Sequence, residues 1–443
     1  MRKGLKNFAQ MKRIKYRMFM TALLSASLFA AGSAALAQES GSSYTVIANP
    51  GGNASREIRI NWHRDEGLSP GICVFTEGSD TGWKHAKTVR AQEEACSVFD
   101  SLYSKRANGE NFYERAKFIR CAAELGGLKP GTLYMYRIGT EGELGETRYF
   151  RTAPRKSRWT AGIISDFHTY PPLPKRLDAA MDMIGTLERC NGGDFDIMLH
   201  IGDVCAWGGS YSFWKRLYEE RYFKKYLWAG VNGNHDNMDR QAGHLSNAYF
   251  RFVNNNPDNG YPGEEGVCYH FMYGDALFIV LNNENMRSDE GLDAARQWVR
   301  KVIAENPAGY VIVMEHYQWF FGENGRTSQY GRWKDLFDEC GVDLAIGANN
   351  HIYARTDALY DGKETDGSKG TVYVQLPSSD NERGQDLKEW TDNRDLIKFR
   401  WSEGGSTVGA MTMKADRRRL TLRLFDRDGN LLDEVDVLRK KKK

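Results

Sequence analysis

The chain has 443 residues, 41% hydrophobic and 27% charged, with a net charge of +3. At about 100–200 residues per domain, this length accommodates two or three domains of ordinary globular composition. So small a net charge carries no sign of a nucleic-acid partner.

The N-terminal segment has the three parts of a secretory signal peptide. Basic residues (Arg2, Lys3, Lys6, Lys12, Arg13, Lys15, Arg17) precede an apolar run over 18–31, and small residues end in Ala35-Leu36-Ala37. The pattern predicts cleavage near Ala37 and a secreted protein, periplasmic or extracellular, with Met11 as an alternative start. The apolar run is too short to span a bilayer comfortably, and no later stretch is long enough. Export permits disulfides among the seven cysteines. The odd count leaves at least one free, and the absence of a C-x-x-C pair excludes a zinc ribbon. Cys96 and Cys121 flank a polar insertion, which leaves two readings open: a bond between them, or free buried thiols throughout.

Residues 38–154 read as an all-β domain. Apolar residues alternate through Ile58, Ile60 and Trp62, the period of a half-buried strand. Leu128, Pro130 and Tyr134 have the spacing of a tyrosine corner, in which a tyrosine hydroxyl bonds to upstream backbone. The stretch 85–121 is polar and helix-like, as an insertion between strands would be.

From 155 to 443 the pattern becomes α/β. Strands over 159–165, 195–202 and 227–232 alternate with helices over 173–190 and 211–226. A hairpin over 268–281 turns at Gly274. Helix 292–305, strand 310–314, helix 330–340 and strand 344–347 follow, which predicts a largely parallel sheet. Strands over 371–375, 408–414 and 420–425 read as a second sheet, and 380–400 as a polar loop. The closing basic run, Arg439 to Lys443, reads as a solvated tail.

Five strand ends carry metal-type side chains: Asp166 with His168; Asp203 after Gly202; Asn234, His235 and Asp236 after Gly233; Glu315 with His316; and Asn349 with His351. Ligands in open α/β sheets bind at the carboxyl ends of strands. Mixed carboxylate and imidazole donors suit Fe, Mn or Zn. Asp203 has two carboxylate oxygens and can bridge two ions. Of the remaining histidines, His200 and His270 read as structural, His63 and His85 as remote from catalysis, and His244 lies in a loop able to reach the site. The aromatics around Trp207 and those of 317–321 read equally as cleft lining or core.

In order and type, these motifs resemble those of the calcineurin-like metallophosphoesterases, and the 43–154 region resembles the fibronectin-like N-terminal domain of purple acid phosphatases. The resemblance implies a four-layer α/β/β/α sandwich behind a fibronectin type III-like domain. It implies two divalent or trivalent metal ions, the first held by Asp166, His168, Asp203 and His351, the second by Asp203, Asn234 and His316. His235 would serve the substrate as stabiliser or proton donor, with Asp236 orienting it. The implied substrate is a small phosphate ester, a monoester first, with diesters and nucleotides on the same scaffold as the alternative. A binding module with an eroded metal site is the reading from another class. Two departures stand out. Asn349 replaces the family's histidine, which implies a weaker second metal site. Ala206 replaces the tyrosinate ligand of the purple enzymes, which implies no charge-transfer colour.

Overall fold

The computed structural model describes residues 43–105, 111–156, 158–239, 244–245, 248–320, 328–387 and 393–440. The signal-peptide segment lies outside them. No helix among the described residues is long and apolar enough to cross a membrane.

The N-terminal region pairs two antiparallel sheets. One runs in the order Ser43–Pro50, Ile58–Arg64, Asn111–Leu125, Gln92–Lys105; the other is built on Gly71–Glu77 and Leu133–Thr140. Ile58, Ile60 and Trp62 alternate into the space between the sheets, as their period requires. The tyrosine corner forms, with the Lys129 backbone N–H donating to the Tyr134 hydroxyl at 3.0 Å.

The stretch expected to be helix-like is instead a long β-ribbon, Gln92–Lys105 against Asn111–Leu125. Its polar residues suit helix locally, but pairing between neighbouring strands decides the outcome. The ribbon also settles the cysteines. Its register sets Cys121 opposite Glu93 and Cys96 opposite Phe118. The two thiols are thus offset by three positions, which spans about 10 Å and puts them on opposite faces, beyond disulfide reach. All seven cysteines are free.

The core has two mixed sheets face to face. The six-stranded sheet runs Trp228–Gly230, Ile197–His200, Trp159–Ile164, Gly409–Ala415, Arg419–Asp426, Leu431–Leu438, its first three strands parallel. The seven-stranded sheet runs Tyr269–Tyr273, Ala276–Val280, Tyr310–Met314, Leu344–Gly347, Val372–Gln375, Tyr353–Arg355, Phe399–Trp401. The strands expected to share one closing sheet therefore divide. Val372–Gln375 lies parallel to Leu344–Gly347, while Gly409–Ala415 lies antiparallel to Trp159–Ile164. Part of the expected 380–400 loop is the edge strand Phe399–Trp401.

Strand alternation sorts the layers. Ile312, Met314, Leu344 and Ile346 face inward onto Ala161, Ile163, Ile197 and Leu199 of the other sheet. Val311, Val313 and Ala345 face outward beneath helices Asp289–Glu305 and Tyr330–Cys340. Helix Lys175–Asn191 covers the opposite outer face through Leu177, Ala180, Met181, Ile184 and Leu187. The result is the α/β/β/α order. Helix Asp289–Glu305 shows why such segments are helical. Ser288 caps it by accepting from the Gly291 N–H, acidic Asp289 and Glu290 meet its positive end, and Ala295, Trp298, Val299 and Val302 form one buried stripe.

The C-terminal tail is not wholly solvated. Arg439 pairs with Asp275 at 2.6 Å, and Lys440 with the fully buried Asp343 at 3.0 Å.

Candidate metal centre

Five core strands from both sheets deliver the motif residues to one place: Trp159–Ile164, Ile197–His200, Trp228–Gly230, Tyr310–Met314 and Leu344–Gly347 each end just before one of them. The two sheets are stitched together there. The Ser379 N–H donates to the Ser165 carbonyl at 3.0 Å, and His316 Nδ1 lies 2.7 Å from the Ile201 carbonyl. Glycine is required at two points. A Cβ on Gly202 would meet His316 Nδ1 at 2.5 Å, and one on Gly233 would meet the Asp203 backbone nitrogen at 2.3 Å. The approach of the loops that brings Asp203, Asn234 and His316 together leaves no space for a side chain there.

The backbone is strained where the donors are. Asp166 (φ 51°), His168 (φ 44°), Asp203 (φ 51°), Asn349 (φ 65°) and His351 (φ 59°) all occupy the left-handed region. Each such residue costs on the order of 1 kcal/mol, and strain of this kind collects at functional sites. The conformation accompanies the turn of Asp166, His168, Asp203 and His351 off their strands and into the common centre.

Three groups of donor atoms result, each within 4.8 Å: Asp166, His168 and His351; His168, Asp203 and His235; Asp166, Asp203 and His316. Asp203 Oδ2 lies 3.2 Å from His168 Nε2 and 3.3 Å from His316 Nε2, between the two halves of the cluster. His351 Nε2 lies 3.4 Å from Asp166 Oδ1, and Asn234 Oδ1 lies 3.2 Å from His316 Nε2.

Backbone carbonyls set the imidazoles. His316 Nδ1 donates to Ile201, His235 Nδ1 to Ala206 at 2.9 Å, and His351 Nδ1 to Arg383 at 2.6 Å. A carbonyl accepts only, so each Nδ1 carries the proton and each neutral ring keeps a lone pair on Nε2. His168 Nδ1 faces Asp380 Oδ2 at 3.5 Å. Outer partners of this kind hold metal-ligating histidines in their working tautomer.

Asp236 makes different bonds from those expected. Its carboxylate accepts from the Cys205 and Gly233 N–H groups, each at 2.9 Å, so it braces the two glycine-bearing loops. The orientation of the His235 ring comes from Ala206. Asn349 donates its backbone N–H to Asp166 Oδ2 at 3.3 Å and its amide nitrogen to Gln318 Oε1 at 2.6 Å, leaving its amide oxygen as the remaining donor atom.

The donor set fits metal ions on its own chemistry. Asp166 Oδ1 and both ring nitrogens of His168 are buried without a hydrogen-bond partner. Such groups are costly to leave unsatisfied and are expected to be paired. Carboxylate, imidazole and amide oxygen together are the donors of Fe, Mn or Zn sites. The charges point the same way. Burial, with Asp203 adding to it, pushes the Asp166 carboxyl up to about 6. Against burial, His316 and His235 hold Asp203 well below the carboxylate range. Against burial, Asp203 and Asp166 drive His316 up to about 10. The centre thus holds protons where cations would stand, and metal uptake would release them.

Sequence reasoning missed the turn after Val372–Gln375. Ser378 donates to the Asp166 carbonyl at 2.9 Å, Asp380 faces His168, and Arg383 receives His351. The signal was present: Ser378-Ser379-Asp380 follows a strand, as the other donor segments do. Of the aromatics, Tyr211, Phe213, Trp214, Trp319 and Phe320 are core residues. Trp207 is half-buried, its ring 5.9 Å from that of His235. His200 is buried among core residues, and His85 is exposed. His244 lies in a short strand whose side chains are outside the description.

Residues 160–353 match the calcineurin-like phosphoesterase family, and residues 44–152 match the purple acid phosphatase N-terminal domain. The chain therefore carries a calcineurin-like phosphoesterase domain behind a purple acid phosphatase N-terminal domain. An uncharacterized protein of Mycobacterium tuberculosis is 24% identical over 354 residues, covering 71% of this chain and 62% of that protein. The chain thus spans somewhat under two thirds of that relative's length. Purple acid phosphatase 21 of Arabidopsis thaliana is 24% identical over 325 residues, covering 68% of this chain and 69% of that protein. Among solved structures, the purple acid phosphatase PPD1 from yellow lupin seeds superposes with a TM-score of 0.68 at 17% identity, over 91% of this chain and 75% of the other. The structure of PhoD superposes with a TM-score of 0.56 at 13% identity, over 90% and 93%. These two likenesses are of fold.

Proposed function

We propose that this protein is a secreted metal-dependent phosphoesterase, acting first on phosphate monoesters. The observation that carries the reading is the position of Asp203 Oδ2, within 3.3 Å of two histidines whose protons face outward to backbone carbonyls or, for His168, toward Asp380. Asp166, His168, Asp203 and His351 would hold one ion, and Asp203, Asn234, His316 and the Asn349 amide oxygen the second. Two such ions supply Lewis-acid charge and a nucleophilic water at neutral pH.

The chain's own residues do the rest. Asn234 sits beside His316 and offers its amide to a non-bridging oxygen. His235 has its Nδ1–H pinned on Ala206, so Nε2 of the protonated ring is the atom able to give a proton to the leaving oxygen. Burial lowers its pKa, which favours release of that proton. Trp207 beside it walls the leaving-group side. Asp236 keeps the loops of Asp203 and His235 in register. Ala206 supplies no phenolate, so the iron-loaded protein should be colourless where purple enzymes absorb. Export rests on the basic, apolar and small-residue order of residues 1–37.

The test is metal content and hydrolysis of p-nitrophenyl phosphate and bis(p-nitrophenyl) phosphate by the reconstituted chain. About two metals per chain and faster monoester cleavage support the proposal. Diester cleavage alone moves the substrate class. A protein that takes up no metal is the binding module instead.

A further inference from the structure

The ribbon of the N-terminal domain overhangs its own sheet. Strand Ile58–Arg64 pairs with Asn111–Leu125 only as far as Ile119, whereas the ribbon's own pairing runs on to Asn111. The overhang lands on the core. Asp100 forms an antiparallel bridge with Ser210, and the Tyr249 hydroxyl donates to the Phe99 carbonyl at 2.9 Å. The Asp100 carboxylate accepts from the Ser212 hydroxyl at 2.8 Å and from the Ser212 N–H at 3.2 Å. Ser212 lies in the first turn of helix Tyr211–Tyr218. That helix has Ser210 as its cap residue, with no side-chain cap bond, and no acidic residue in its first turn. Asp100 supplies both the acceptor and the negative charge that a helix start favours.

The segment just before that helix leads to the centre. Residues 206–210 lie against residues 235–238. His235 Nδ1 donates to the Ala206 carbonyl at 2.9 Å, the Gly208 N–H to the His235 carbonyl at 2.8 Å, and the Gly209 N–H to the Met238 carbonyl at 2.8 Å. A Cβ on Gly208 would collide with the Asp236 carbonyl oxygen, so the two segments meet backbone to backbone. The same segment is tied back to the helix. Trp214 Nε1 donates to the Gly208 carbonyl at 2.9 Å, and the Ser210 N–H to the Trp207 carbonyl at 3.0 Å. An unbroken run of bonds thus joins Asp100 to the carbonyl that orients the His235 ring.

We propose that Asp100 is a positioning residue for His235: by capping helix Tyr211–Tyr218 it fixes residues 206–210, and with them the Ala206 carbonyl that orients the proton donor. The N-terminal domain thereby takes part in the departure of the leaving oxygen. This rests on the phosphoesterase reading above. The effect is selective. The Asp100 side chain bonds to Ser212 and to none of the metal-type residues, so the metal donors stay as they are. A misset proton donor slows the departure of a basic oxygen and matters little to one that leaves as a stable anion.

The experiment compares metal-loaded wild type with Asp100→Ala, Asp100→Asn and a control on the same helix, His63→Gln, whose bond goes to the Tyr211 side chain. The readouts are metal content, thermal melting, and kcat and KM per folded molecule on phenyl phosphate, which has a basic leaving group, and p-nitrophenyl phosphate, which has a weakly basic one. Loss of one cap is a modest cost, so Asp100→Ala should fold. It should lower kcat on phenyl phosphate about tenfold, part of the roughly 10²–10⁴-fold that a proton donor supplies, and on p-nitrophenyl phosphate by about twofold at most. Metal content should stay at the wild-type level. Asp100→Asn keeps an acceptor oxygen and should recover most of the loss. His63→Gln should melt at a lower temperature with the ratio of the two kcat values unchanged. An equal fall on both esters, an unaltered ratio, or loss of metal in Asp100→Ala would overturn the proposal while leaving an active wild type intact. The same change of ratio in His63→Gln would also overturn it, because any loosening of the helix would then suffice. A wild type inactive on both esters would overturn the phosphoesterase reading with it.

Discussion

The metal centre and the joint between the N-terminal sandwich and the core both bury polar side chains, and they treat them in opposite ways. At the joint, His63 stacks on Phe118 with centroids 4.2 Å apart, and both its nitrogens are used: Nδ1 accepts from the Tyr211 hydroxyl and Nε2 donates to the Phe252 carbonyl at 2.7 Å. Asn49 donates to the Trp228 carbonyl at 3.0 Å and accepts from the Asn255 N–H at 2.9 Å. Asn61 Oδ1, Asn256 Oδ1 and Arg120 Nε are exceptions, buried without a hydrogen-bond partner. At the centre, both nitrogens of His168 and one oxygen of Asp166 make no well-aligned hydrogen bond and have only ionic approaches, to Asp203, Asp380 and His351, on backbone in the left-handed region. A polar group satisfied by its own chain holds the fold together. One left unsatisfied at a conformational cost is arranged for something else.

Substitutions at the two regions should therefore separate activity from stability. Asp203→Ala should have the largest effect, lowering phosphatase activity at least about a thousandfold and cutting bound metal, read by elemental analysis beside the rate. Retained metal with full activity would exclude Asp203 as a metal ligand. His235→Ala comes next: about a 10²–10³-fold fall in kcat with metal content unchanged, as for loss of a proton donor. A matching loss of metal would make it a ligand instead.

The joint should respond in stability alone. His63→Gln should cost about 1–3 kcal/mol in urea unfolding at pH 7, with the rate per folded molecule unchanged. Burial lowers the His63 pKa to about 3, against an ordinary value of 6.5. Its stabilisation is complete above pH 6.5 and is lost as pH falls from there toward 3, at up to about 1.4 kcal/mol per unit, because the unfolded chain binds the proton the folded one refuses. The Gln variant should show a shallower acid slope; an identical slope would mean that His63 is not the group responsible. The smallest change expected is a gain: Asn349→His should tighten metal binding about tenfold, by titration against a chelator. Unaltered affinity would leave Asn349 a bystander bonded to Gln318.

The centre was far more legible in the sequence than the ribbon or the tail. Asp166, His168, Asp203, Asn234, His235, His316 and His351 each follow a short apolar strand, and the glycines beside two of them mark backbone turning tightly. Those are local signals, read within a few residues. The helix-like reading of 85–121 failed because its strand character comes from pairing Gln92–Lys105 with Asn111–Leu125. The solvated reading of the tail failed at Arg439 and Lys440 because their partners, Asp275 and Asp343, are far away in the chain.

The sequence by itself determined the kind of chemistry: which donor types stand at which strand ends, in what order, and that Asn349 and Ala206 depart from the pattern. Only the tertiary structure decided which nitrogen of each histidine faces the centre, that Asp236 braces loops, and that the 380–383 turn closes the site. The reason is distance along the chain. Residue type and strand period are local properties, whereas His351 meeting Arg383, or Ser379 meeting Ser165 across 214 positions, exists only once the two sheets have packed.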